Sequence, residues 1–172
     1  MTASLSHNIA ILMKILAAAL CLLPTLASAA DIPGLVVGQA SVIDGDTIEI
    51  HGQRIRLEGI VAPESNQVCE AKGKRDVACG RDAAWFLADI IGRQTVYCSQ
   101  TGTDRYRRVL AECEVGGKDI GDAMVRSGHA LAYRRYSTRY VMAEDAARAA
   151  KAGMWAYDFL PPWEWRALEK GR

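Results

Sequence analysis

The chain has 172 residues, half of them hydrophobic, and carries 21 Lys and Arg against 20 Asp and Glu. A balance that close argues against a protein that coats nucleic acid by bulk charge, so any polyanion site must be a local basic patch. Three histidines, no Cys-x-x-Cys pair, no phosphate-cradling glycine loop and no Gly-x-Ser-x-Gly turn also weaken zinc, nucleotide and serine-nucleophile chemistry.

Residues 1–29 read as a secretory signal peptide. Lys14 precedes an apolar run that breaks at Pro24 and ends in the small-residue pattern Ala27-Ser28-Ala29, and the run is too short for a membrane span. An exported protein, periplasmic or secreted, is expected. No further hydrophobic span follows, so a monomer without membrane attachment is expected after cleavage. Cys69, Cys79, Cys98 and Cys113 then remain, an even number in an exported chain. Two disulfides are the natural reading; three connectivities exist, and the local pairs Cys69–Cys79 and Cys98–Cys113 are favoured.

Residues 35–60 alternate apolar and β-branched residues with polar ones, punctuated by Asp44-Gly45-Asp46 and His51-Gly52. These are strand and hairpin signals for two or three antiparallel strands. Residues 66–80 are polar and bracketed by cysteines, a stapled loop. Ala84, Leu87, Ala88 and Ile91 recur at helical spacing before Gly92. Two more strands, within 94–100 and 108–115, flank the basic loop Thr101–Arg107. Asp119 opens a short helix ended by Gly128, and Ser137 or Thr138 caps another that runs to Ala150. Residues 158–172 form an aromatic tail, with Trp163 and Trp165 read as packing against the rest. Trp85 and Trp155 read as core. Short strands first and helices later give an α+β plan on a small barrel, in one domain.

The residues left for chemistry are arginines and carboxylates. Asp44 and Asp46 share a tight turn; they either converge on a hard cation or hydrogen-bond their own backbone. Arg56 lies on the strand after the hairpin, Glu64 follows Pro63 at its exit, and Arg108 opens a later strand. Two arginines hold a phosphodiester by forked hydrogen bonds in a way lysine does not. A nearby glutamate can take the proton of an attacking water, and a divalent cation beside the carboxylates would neutralise the phosphate.

The stretches VIDGDTIEI (42–50), RIRLEGIVAPE (54–64), TDRYRRVLAECEVGGKDIGDAMVRSGHALAY (103–133) and AARAAKAGMW (146–155) occur in the order and spacing of the staphylococcal nuclease-like (thermonuclease) family. The resemblance covers residues 36–157. It implies a five-stranded OB-type β-barrel with about three helices. It also implies calcium-assisted hydrolysis of DNA or RNA, preferably single-stranded, leaving a 3′-phosphate and a 5′-hydroxyl. Carried over by position, Arg56 binds the scissile phosphate, Glu64 is the general base and Arg108 stabilises the transition state. Asp46 and the backbone carbonyl of Ala62 ligate calcium, and Asp44 supports the turn. Val61 stands where the family has a second calcium-ligating aspartate, so a weak or altered calcium site is expected. Val61→Asp is expected to strengthen it. Arg107 replaces a common glycine. Val61 also leaves open an alternative: a non-catalytic module of the same fold that binds nucleic acid or another anion. The stretch Tyr133–Tyr140, rich in tyrosine and arginine, is either a base-stacking surface or the half-buried approach to a helix.

Overall fold

The computed structural model describes residues 33–73 and 75–171; the expected signal peptide lies outside them. Nine strands are described: β1 (Leu35–Gln39), β2 (Ser41–Asp44), β3 (Thr47–Ile50), β4 (Gln53–Leu57), β5 (Ile60–Val61), β6 (Thr95–Thr103), β7 (Val109–Val115), β8 (Lys118–Asp119) and β9 (Leu131–Ala132). The helices are α1 (Cys79–Ile91), α2 (Ile120–Arg126), α3 (Val141–Ala150) and α4 (Pro162–Lys170), with a 3₁₀ turn at Gly153–Ala156. Among the described residues, no helix is long and apolar enough to cross a membrane.

One curled sheet runs β1-β6-β7-β4-β3-β2, with β8 paired to β7; β5 and β9 form a separate pair. Only Ala40 separates β1 from β2, so the long stretches reduce to five, as expected, in an OB-like α+β fold. The β4–β7 pairing is parallel, with Arg56 opposite Leu110. Together with the β1–β6 pairing it joins the N-terminal strands to the later hairpin, and it brings Arg56 and Arg108 to the same end of the sheet. Alternation decides what faces in: Ile48, Ile50, Ile55 and Leu57 are buried on β3 and β4, with polar partners between them.

The helix α1 covers the sheet with Ala83, Leu87 and Ile91, one face at successive four-residue steps. Of the expected set Ala84, Leu87, Ala88 and Ile91, Leu87 and Ile91 are buried; Ala83 takes the place of Ala84, and Ala88 is exposed. Trp85 is 61% exposed, with Arg81 over its ring, and is not core. A polar head on this exposed face lets the indole shed water on one side only. Asp119 caps α2, its carboxylate accepting from Asp122 N–H at 3.0 Å. The helix α3 begins at Val141, not at the expected Ser137 or Thr138. The intervening turn is pinned by buried Tyr140, whose hydroxyl donates to Asp119 and whose ring packs on Gly59 and Gly121. The tail is helical, with Pro162 at its start, where a missing N–H loses nothing.

The disulfide Cys98–Cys113 joins directly opposed residues of β6 and β7. Cys69–Cys79 ties the stapled loop to the first residue of α1. A second apolar cluster of Val61, Leu131, Met154 and this bridge lies apart from the main core, with Trp155 and Phe159 against it.

Candidate functional site

The hairpin turn between β2 and β3 is held from both sides. Asp46 N–H donates to the Asp44 carboxylate at 3.0 Å, the local backbone bond that the Asp-Gly pattern allows. A methyl group on Gly45 would lie 2.7 Å from the Ala62 Cβ and 2.8 Å from the Ala83 Cβ, so only glycine lets the turn seat against α1 and the β5 exit. A similar approach fixes Glu64: any side chain on Gly80 would collide with the Glu64 carbonyl. The first turn of α1 therefore packs directly under the loop that carries Glu64.

These elements surround an open cleft of about 1210 Å³. All six positions singled out from the sequence border it: Asp44, Asp46, Arg56, Ala62, Glu64 and Arg108. On its inner wall Arg56 forms an ion pair with Asp46, and the two side chains are only 14% and 9% exposed. Arg56 also donates to the Ile60 carbonyl at 3.3 Å. The second Asp46 oxygen accepts from Ala62 N–H at 3.0 Å. Burial opposes ionisation of Asp46, but the Arg56 guanidinium and the Ala62 N–H hold its carboxyl below the usual range. Asp44 moves the other way: burial, and then the adjacent Asp46 charge, push it up to about 6. The two carboxylates of one turn are thus pushed in opposite directions, Asp46 being the one held in an ion pair with Arg56.

On the outer wall Arg108 is fixed by Asp104. The Asp104 carboxylate accepts from Arg108 N–H at 2.9 Å and from its Nε at 2.8 Å, with Nη2 2.7 Å away. The turn between them needs Arg107 in the left-handed region, φ 64°. That explains the glycine common at this position: arginine there is disfavoured by about 1–2 kcal/mol, while its side chain adds charge to the cleft.

Thr47 was not singled out from the sequence. Its hydroxyl donates to Asp46 at 3.1 Å and accepts from Arg108 Nη1 at 3.5 Å. The buried hydroxyl therefore links Arg108 to Asp46, and through that carboxylate to Arg56. Its place directly after Asp46, opposite Arg56 in the β3–β4 register, was the available signal.

Glu64 sits at the cleft edge, 38% exposed, and accepts from Arg166 at 2.5 Å. The Tyr133–Tyr140 stretch divides between the two readings. Tyr133, Arg135 and Tyr136 border the cleft. Arg134 instead binds Glu144 and Asp145, and Arg139 binds Glu112 and Asp119, as structural pairs.

A resident calcium does not fit these groups. Calcium takes six to eight oxygens, whereas among the described residues no group of three or more His, Cys, Asp or Glu side chains is gathered where it could hold a metal. Both oxygens of Asp46 are engaged, by Arg56, Thr47 and Ala62 N–H. Val61 does more than omit a ligand: it is fully buried in the second apolar cluster and does not border the cleft.

A family profile described as "Staphylococcal nuclease homologue" matches residues 54–157. The chain is 38% identical over 123 residues to the "Succinoglycan biosynthesis protein ExoI" of Rhizobium meliloti (strain 1021), covering 70% of this chain and 64% of that protein, so it spans less than two thirds of that relative. It is 36% identical over 145 residues to an "Uncharacterized endonuclease" of Escherichia coli, covering 80% and 86%. To the "Micrococcal nuclease" of Shigella flexneri it is 33% identical over 176 residues, covering 92% and 94%.

Proposed function

The chain belongs to the staphylococcal nuclease family, and from that premise we propose that it is an exported nuclease hydrolysing phosphodiester bonds of single-stranded DNA or RNA. The observation that carries the reading is that Arg56, Arg108 and Glu64 border one cleft, the two arginines being joined through the Asp46 carboxylate and the Thr47 hydroxyl. In this reading a phosphodiester lies across the two guanidiniums, its non-bridging oxygens taking their remaining N–H donors. Glu64 accepts a proton from water as the water oxygen attacks phosphorus. Negative charge grows on the oxygens facing the arginines, which are already in place and need no reorganisation. The bond from phosphorus to the 5′-oxygen breaks, and that oxygen leaves as a hydroxyl after taking a proton from solvent. The products are a 3′-phosphate and a 5′-hydroxyl. Calcium, implied by the family resemblance, would compete with Arg56 for Asp46, and no step above depends on it.

A second reading, a module that binds nucleic acid without cutting it, is favoured by the burial of Val61 in an apolar cluster. The two separate in one experiment: cleavage of single-stranded DNA by the disulfide-bonded protein, with chelator and across a calcium series, beside Glu64→Gln. The nuclease reading expects cutting with 5′-hydroxyl ends, and a fall of about 10²–10⁴ in the variant, the usual worth of a general base. Binding with no cutting under any condition leaves the module.

A further inference from the structure

Glu64 has a partner that lies beyond the family match. Arg166 stands on α4, 102 residues away in sequence, and the match ends at residue 157. The tail is seated beside the Glu64 loop by specific contacts. Gln67 is fully buried; its side-chain oxygen accepts from Glu64 N–H at 3.2 Å, and its Nε2 donates to the Leu160 carbonyl at 2.7 Å. One amide therefore fixes both the loop of Glu64 and the approach to α4. Glu70 and Asp158 exchange backbone hydrogen bonds, and the Trp163 ring lies parallel to that of Tyr133, centroids 6.1 Å apart. Residues 163, 166 and 170 share one helix face, and Arg166 and Lys170 border the cleft.

The Arg166–Glu64 pair is suited to exchange. Its side chains are 36% and 38% exposed, and solvent-screened pairs of this kind are held weakly. A guanidinium suits phosphate at least as well as carboxylate, binding either through two parallel N–H bonds. We propose that α4 is a wall of the substrate cleft and that Arg166 is a positioning residue. It rests on Glu64 in the free protein and moves to a backbone phosphate when a strand binds, leaving the Glu64 carboxylate to accept a proton. The exchange is non-covalent and conserves charge: one anion replaces another at the same cation. It rests on the nuclease reading above.

The test is fluorescence anisotropy with a single-stranded probe of about 12 thymidines and the full disulfide-bonded chain, titrated over a salt series. In a Glu64→Gln background, Arg166→Gln is expected to weaken binding roughly tenfold at low salt, as for one lost charged hydrogen-bond set. The slope of log K against log salt should shrink by about 0.7, one phosphate contact on a single strand. Arg166→Lys should restore the slope. With Glu64 intact and a phosphorothioate probe, the loss should be smaller, since there Arg166 must first leave the carboxylate. An unchanged slope, or equal losses in both backgrounds, overturns the role of Arg166 and leaves the nuclease reading standing. Absence of probe binding by every variant and by the parent chain overturns both.

Discussion

The two walls of the cleft hold their arginines by different means. Arg56 projects from a central strand, pairs with a nearly buried carboxylate, and is backed by the Ala62 and Ile60 backbone, all set by the main core. Arg108 is held by a carboxylate four residues away, in an outer turn, with its side chain 27% exposed. Arg166 is more exposed still and reaches across from a terminal helix. The inner wall is therefore coupled to folding more tightly than the outer one. Burial is the reason. Removing a partner from a dry ion pair leaves a charge with neither water nor counter-charge, whereas an exposed partner is replaced by solvent.

The sharpest break of this contrast is Arg56→Ala. It strands Asp46, and the loss of stability is expected at about 3–5 kcal/mol, read as a lower urea midpoint; a loss under about 1 kcal/mol would make the inner wall no different from a surface pair. Val61→Asp comes next. Its carboxylate would enter the second apolar cluster beside Leu131 and Met154, again on the order of 3–5 kcal/mol for an uncompensated charge. A stable variant with tighter calcium binding by calorimetry would show instead that the side chain reaches the cleft. A smaller effect is expected from Asp44→Asn. Asp44 titrates at about 6 when folded against an ordinary 3.8, because burial and Asp46 disfavour its charge. Between those values the folded chain holds a proton that the unfolded chain has lost, so stability falls as pH rises through that window. Asparagine keeps the oxygen that accepts from Asp46 N–H. The variant should melt higher than the parent at about pH 7, and the two should converge near pH 4. The smallest change in stability belongs to Arg108→Ala, within about 1 kcal/mol, although cleavage should slow by roughly 10²–10³ as one preorganised donor is lost. Equal damage from Arg56→Ala and Arg108→Ala in folding would erase the distinction between the walls.

Much of the molecule follows from short-range patterns. The alternation along residues 35–60, the turn at His51-Gly52, the Asp119 cap and the two local cysteine pairs each depend on neighbours within a few positions or across one hairpin. The six candidate site positions came from motifs matched to the family resemblance, and they border one cleft. Other features needed the third dimension. The apolar face of α1 keeps the expected Leu87 and Ile91 but takes Ala83 in place of Ala84 and Ala88, because helical periodicity defines a stripe but not which neighbour it meets. Nothing local to Trp85 says that its face has no covering element. A strand residue such as Val61 points to one side or the other according to which layer packs there, and the sequence motif alone assigned it to the cleft. Thr47 connects Arg108 to the Asp46–Arg56 pair only because β3 pairs with β4 and β4 in turn with β7.

The sequence by itself determined the family, the α+β plan and the arginine–carboxylate character of the site, and favoured the local disulfide pairs, because these are carried by composition, spacing and contacts close in the chain. The tertiary structure alone decided that Val61 turns away from the cleft, that Asp46 spends its charge on Arg56, and that Arg166 meets Glu64. Each of those depends on which surfaces are brought together after long stretches of chain have folded, and there burial and charge pairing, not local preference, select the partner.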